Sequence, residues 1–170
     1  MVFDQHPLLE TIRERFYYDD GKVRVKKAGK WKGKEHELAG TVRPKDGRVI
    51  IQIKTARLFA HQVIWLLFND NLPDTSIDHA DNDCTNDKIE NLRPANRSEQ
   101  QGNKAIQQNN TSGFKGVSYK KGVKAKPWIA SISDGGRIVN LGYFSTPEEA
   151  AKAYDAAAKA KFGEFAKTNF

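Results

Sequence analysis

Residues Ser76–Lys104 read SIDHADNDCTNDKIENLRPANRSEQQGNK, and this stretch decides the fold of the first part of the chain. A short apolar step leads into Asp78-His79. A loop crowded with Asp and Asn follows, then a second short strand at NLRPA, which begins at Asn91. Asn96 and Glu99 have the three-residue spacing of a capping box, so a helix opens there. Gln100 lies in its first turn, and Asn103 shares the same face three residues on. Strand, long loop, strand and helix form a compact frame that can close a metal site. Neighbours on a strand point to opposite sides. Asp78 and His79 therefore serve one site only where the strand twists or ends.

The residue types suit phosphodiester chemistry. A hard divalent ion takes carboxylate and amide oxygens, and Mg²⁺ needs only one or two carboxylates beside waters and phosphate. A neutral imidazole can deprotonate water near neutral pH. A bound ion can stabilise charge on the leaving oxygen. The plainer alternative is an Asx-rich turn, whose side chains bond their own backbone. Asn86 and Asp87 read more simply as solvated loop, and Cys84 as incidental to a site of hard oxygen ligands.

Upstream, LLETIRERFYY (Leu8–Tyr18) has apolar residues at helical spacing, and Asp19-Asp20-Gly21 signals a turn. KVRVKK alternates like an exposed strand, and residues 28–37 read as a Lys-rich loop. Val49–Ile53 predicts a strand and Arg57–Phe68 a buried helix, stopped by NDNLPDT. Downstream, residues 105–111 lack periodicity and bulk, which predicts a linker between domains at 1–104 and 112–170. Beyond it, FKGVSYK alternates, and two further alternating runs flank Asp134-Gly135-Gly136, a strong hairpin signal. STPEEAAKAYDAAAKAKFG is a capped helix with alanines on one face and Gly163 at its end. The expectation is an α+β chain whose C-terminal part is a three-stranded antiparallel sheet on one helix, with the other sheet face left open.

The net charge of +7 points to an anionic partner, and nucleic acid is the commonest. Residues 112–170 hold ten Lys and Arg against five Asp and Glu, a surplus of five, which leaves two for the rest. A single cysteine excludes an internal disulfide and a four-thiolate zinc site, which suits a reducing compartment. Neither a signal peptide nor a membrane span is legible. A soluble, intracellular, cytoplasmic protein is expected.

The stretch IDHADNDCTNDKIENLRPANRSEQQGNK resembles the ββα-metal (His-Me finger) core of HNH homing-type endonucleases of phages and mobile introns. FYYDDGKVRV, AGTVRPKDGRVIIQI and AHQVIW upstream resemble the lead-in of that family. The resemblance implies Asp78 as a metal ligand, His79 as the general base and Asn91 as the residue that holds the metal loop. It implies a helical metal ligand at Gln100, where the family usually carries Asn or His, with Asn103 as a fallback. The implied cofactor is Mg²⁺ or Mn²⁺. His61 matches a family histidine, with Gln62 in place of the usual Arg, and reads as a packed structural residue. Residues 112–170 resemble the Apetala or ethylene-response-factor DNA-binding domain through LGYFSTPEEAAKAYDAAA and the closing TNF. The positions matched to its DNA-reading face are Lys115, Ser118, Lys120, Trp128, Ser131, Ser133 and Asn140, with Arg137 close by; Trp128 reads equally well as a core residue. Lys121, Lys124 and Lys126 make the first hairpin loop basic and suit phosphate contacts. Together these imply a metal-dependent endonuclease acting on double-stranded DNA. A DNA-binding regulator with a degenerate nuclease fold is the alternative, and an RNA-binding module the weaker third reading.

Overall fold

The apolar residues near the N-terminus need a partner surface, and the fold supplies one from distant sequence. The computed structural model describes residues 6–26 and 34–170. Helix α1 (Leu9–Arg15) buries Leu9 and Ile12. Strands β1 (Phe16–Asp19) and β2 (Lys22–Val25) form an antiparallel hairpin. Strands β3 (Thr41–Val42), β4 (Val49–Ile53) and β5 (Ala56–Phe59) form an antiparallel sheet in that order. Helix α2 (Ala60–Asn69) follows at once. Leu9, Ile12, Ile51, Ile53, Val63, Ile64 and Leu66 are almost wholly buried in one cluster. Each such side chain contributes about 1.5–3 kcal/mol.

Two expected helices are shorter than their periodicity suggests. Phe16–Tyr18 are strand, because Phe16 pairs with Val25 and buries its ring in the core. Arg57–Phe59 are also strand, paired with β4 across a turn at Lys54, whose φ is 53°. Cross-strand pairing overrides local helical spacing at both sites. Residues 28–33 of the Lys-rich loop expected at 28–37 lie outside the described residues.

Strand β6 (Ser76–His79) pairs with β7 (Leu92–Ala95), and the Asp/Asn loop lies between them. Helix α3 (Arg97–Asn103) begins at the foreseen box: the Asn96 side chain accepts from the Ser98 and Glu99 amides, and Glu99 accepts from the Asn96 amide.

The chain divides into two compact units, Met1–Pro94 and Ala95–Phe170. Helix α3 and the amide-rich stretch after it both fall in the second. Gly102 explains the placement of α3, since a Cβ there would lie 2.5 Å from the Phe162 ring. The second unit holds antiparallel strands β8 (Val117–Tyr119), β9 (Trp128–Asp134) and β10 (Arg137–Phe144), in the order β10-β9-β8. Helix α4 (Pro147–Phe162) packs its Ala150, Ala151, Tyr154 and Ala158 against the sheet. The Thr146 hydroxyl accepts from the Glu149 amide and caps α4, as the sequence leads one to expect.

Candidate active site

The site grows from three elements of the first unit. His79 is the last residue of β6, His61 is in the first turn of α2, and Asp87 is in the loop between β6 and β7. All three are buried, at 6% exposure for His61, 5% for His79 and 6% for Asp87. His79 Nε2 and Asp87 Oδ1 share a hydrogen bond at 2.8 Å. His61 Nδ1 is 3.9 Å from the same oxygen, beyond hydrogen-bond reach. The two imidazoles meet edge to face with centroids 5.2 Å apart, and His61 stacks on Phe59 at 5.4 Å.

Burial pushes the His61 imidazole down to about 4, against the pull of Asp87 and with help from the fields of His79 and Arg48. His61 is therefore neutral near pH 7, and its approach to Asp87 is not an ion pair. Gln62 is explained by the helix start, where its Oε1 accepts the Phe59 amide proton at 2.9 Å.

Asp87 is not solvated loop, as its Asp/Asn-rich neighbourhood suggests. The β1–β2 turn packs over it. Gly21 has φ +80°, and a Cβ there would lie 3.1 Å from the Lys88 amide nitrogen. Lys88 Nζ pairs with Asp20 at 2.9 Å. This cover comes from sequence far upstream, so no local pattern marks Asp87. His61 is packed, as expected, and also belongs to the titratable cluster.

The rest of the loop folds on itself. Asn91 Nδ2 donates to Asp81 Oδ1 and to the Asn86 carbonyl, and Asn91 Oδ1 accepts from the Asp81 amide. Asn86 Nδ2 donates to Asp81 Oδ2. Asp83 accepts from the Thr85 amide and hydroxyl. Burial alone would raise the Asp81 carboxyl, but the bonds from Asn86, the Asp83 amide and Asn91 hold it below the usual carboxylate range. Cys84 Sγ donates to the Asp46 carbonyl at 3.3 Å.

Asp78 precedes His79 on β6 but meets a different partner. Its Oδ2 lies 3.4 Å from both Nε and a terminal nitrogen of Arg93 on β7. In the second unit, Gln100 is half-buried and Asn103 is buried on α3.

His61, His79 and Asp87 each offer a ligand atom, and the three atoms lie within 4.8 Å of one another. Two imidazole nitrogens and one carboxylate oxygen are a donor set able to coordinate a divalent metal ion. Imidazole suits transition ions and zinc, while Mg²⁺ favours oxygen.

Residues 58–101 match the HNH endonuclease family. The chain carries an HNH-type nuclease domain. The match spans His61, His79 and Asp87 and runs into α3, so the HNH segment crosses the division between the compact units. Its fold is that of a metal-dependent HNH-type nuclease, a ββα-metal core followed by a three-stranded sheet packed on a helix. An alignment of 67 residues is 43% identical to ethylene-responsive transcription factor 3 of Nicotiana tabacum, covering 36% of this chain and 29% of that protein. The chain thus spans less than a third of that relative. No solved structure gives a significant match. No helix among the described residues is long and apolar enough to cross a membrane.

The sheet beyond the HNH segment has two distinct faces. Trp128, Ala130 and Ile132 alternate toward α4, and Trp128 packs against the core there. Ser118, Ile129, Ser131, Ser133, Ile138 and Asn140 occupy the opposite face by register. Lys120, Lys121, Lys124, Lys126 and Arg137 are exposed. The Lys120 ammonium lies 5.8 Å from the Tyr143 ring centroid. Lys115 is half-buried, and its Nζ donates to the Gly102 carbonyl at 2.6 Å and the Lys167 carbonyl at 3.3 Å.

Proposed function

We propose that this protein is an intracellular endonuclease of the HNH type that hydrolyses phosphodiester bonds in duplex DNA. The observation that carries the reading is the buried His79–Asp87 hydrogen bond at the end of β6, inside the segment that matches the nuclease family. A neutral imidazole held in one orientation is suited to take a proton from water. His79 is the proposed general base. Asn91 is the proposed clamp of the loop behind it, supported by its bonds to Asp81 and Asn86.

Asp78 is the proposed carboxylate ligand of a divalent ion, Mg²⁺ or Mn²⁺, with the Gln100 or Asn103 amide as the proposed second protein ligand. When bound, such an ion supplies charge stabilisation for the leaving oxygen. Arg93 shares Asp78 and keeps that carboxylate oriented through two long contacts.

Residues 112–170 of the second unit are proposed as an ethylene-response-factor-type DNA-binding domain, joined through 105–111 to a nuclease domain at 1–104 whose last residues, from Ala95, also lie in that unit. The partial likeness to the tobacco transcription factor supports this, as do the basic surplus and the open sheet face. Lys120, Lys121, Lys124, Lys126 and Arg137 are proposed to meet phosphates. Ser118 and Asn140 are proposed to face base edges.

Incubation of the full chain with supercoiled plasmid and Mg²⁺ or Mn²⁺ should yield nicked or linear product, and chelator should abolish it. Intact plasmid under every metal, with binding retained, would favour a DNA-binding regulator. The features that favour that second reading are Gln100 at the ligand position and Arg93 beside Asp78.

A further inference from the structure

We propose, resting on the DNA-binding reading of the second unit, that the cavity between residues 101–110 and strand β9 is a phosphate-binding subsite of the DNA interface. The amide-rich segment expected as a plain linker then supplies one wall of that interface.

The cavity lies wholly within the second unit and has a volume of about 400 Å³. Gln101, Lys104, Gln107 and Asn109 line it from the first segment, and Ser131 and Ser133 from β9. The two serines stand on the open sheet face by register, so the cavity borders that face. Ammonium, primary amide and hydroxyl groups all donate hydrogen bonds. No carboxylate lines the cavity among the described residues. A donor-rich wall with a cation and no acid suits an oxyanion. None of these six side chains has a hydrogen-bond or ion-pair partner among the described residues, so their donors are left for water or a ligand.

Tyr154 lines the same cavity and is only 5% exposed. Gly116, at φ +74°, lets the ring approach, since a Cβ there would lie 2.0 Å from it. The Tyr154 hydroxyl makes no hydrogen bond among the described residues, and burial pushes the phenol up to about 12, so it stays a donor at neutral pH. A buried hydroxyl with no partner in the chain takes one from water or a ligand. Lys115 also lines the cavity, but its Nζ is given to the Gly102 and Lys167 carbonyls, which leaves exposed Lys104 as the cation for an incoming anion. A turn shapes the segment: the Asn110 amide donates to the Gln107 carbonyl at 2.9 Å, and the Asn110 side chain bonds the Phe114 carbonyl and the Gly113 amide. The basic surplus of residues 112–170 draws a polyanion to this unit, which brings backbone phosphates within reach of the cavity.

The test titrates the full chain with a short DNA duplex in the absence of divalent metal. Gln107→Ala combined with Asn109→Ala changes two exposed positions and should leave the fold intact. It should weaken duplex binding about tenfold, the scale of a hydrogen bond to a charged acceptor, without changing the salt slope. Lys104→Ala should lower the slope of log affinity against log salt by about 0.9, the value for one phosphate. Lys152→Ala, exposed on α4, should leave that slope unchanged. In ¹⁵N spectra the side-chain amides of Gln107 and Asn109, identified by their loss in the double variant, should shift on adding duplex and stay in place on adding inorganic phosphate. Wild-type affinity in the double variant, or amides that the duplex does not move, would overturn the proposal. So would equal shifts with inorganic phosphate alone, since the cavity would then be a site for a free anion. A wild-type chain that binds no duplex at any salt sinks the DNA-binding reading itself, and the subsite with it.

Discussion

The first unit hides its chemistry and the second displays its surface. His61, His79 and Asp87 come from a helix, a strand end and a loop, and all three lie below the surface. In the second unit the lysines of one hairpin loop and one face of a three-stranded sheet stand open, with Ile138 81% exposed. On the proposed reading the difference follows from the tasks. A base must have one tautomer and one orientation, which takes burial and convergence from distant sequence. Long-range attraction to a polyanion needs exposed charge, and neighbouring residues supply it.

The largest expected effect sets the two regions furthest apart. His79→Ala should lower plasmid cleavage by roughly 10²–10⁴-fold, the range for losing a positioned base, and leave duplex affinity within about twofold. A gel-shift titration beside the cleavage assay measures both. Equal losses in binding and cutting would show that His79 serves the fold or the DNA interface.

Next in size is a structural break confined to the second unit. Asp155 is buried at 6% exposure, and its carboxylate accepts from the Asn169 amide, the Asn169 side chain and the Phe170 amide. Those bonds fasten the C-terminal residues to α4, and Asn169 in turn accepts from the Lys115 amide. Asp155→Ala should cost about 3 kcal/mol, since bonds to a charged acceptor are worth roughly 1.5–3 kcal/mol each and are not additive. Chemical denaturation of the full chain, followed by tryptophan fluorescence, should lower the midpoint of one transition and leave a second in place. A single shifted transition would mean that the units unfold together.

The same contrast explains what is legible in the sequence. The Asn96–Glu99 box, the Gly135-Gly136 turn and the Thr146 cap are legible because each is a local arrangement between neighbours. His79 is legible because Asp78-His79 ends a strand before an Asx-rich loop. Asp87 is not. Its burial depends on Gly21 and Asp20, more than sixty residues upstream, closing over Lys88. Phe16–Tyr18 and Arg57–Phe59 read as helix for the same reason, since their strand partners lie outside any helical window. The apolar period of Arg57–Phe68 marks a buried segment correctly but does not say where strand gives way to helix at Ala60.

A smaller effect probes the open surface. Replacing Lys120, Lys121 and Lys124 together by Ala should weaken duplex binding and flatten the slope of log affinity against log salt. For B-DNA the slope changes by about 0.9 for each phosphate that a side chain neutralises, so removing three such cations would reduce it by roughly 2.7. An unchanged slope would take this loop out of the interface and leave Arg137 and the strand faces to carry it.

Lys115 gives the smallest effect and the finest test, because it stands where the comparison blurs. By resemblance it belongs to the DNA-reading set, yet its ammonium is half-buried and bonded to the Gly102 and Lys167 carbonyls. Burial holds it down to about 8, and Lys167 pushes the same way against Asp155. The unfolded chain titrates near the ordinary lysine value of about 10.4. Below about pH 8 both states carry the proton, and the folded state bears the full cost of a half-buried charge. Between about pH 8 and 10 the folded state has shed a proton that the unfolded state keeps, so this lysine's contribution to stability rises with pH. After allowance for partial exposure, the gain is about 1 kcal/mol. Denaturation midpoints of the wild type and Lys115→Met, compared at about pH 7 and about pH 9.5, should differ in a pH-dependent way, with the wild type gaining on the variant at the higher pH. If the two track in parallel while Lys115→Met lowers the salt slope of duplex binding, the ammonium faces phosphate rather than the Gly102 carbonyl, and the residue returns to the open surface.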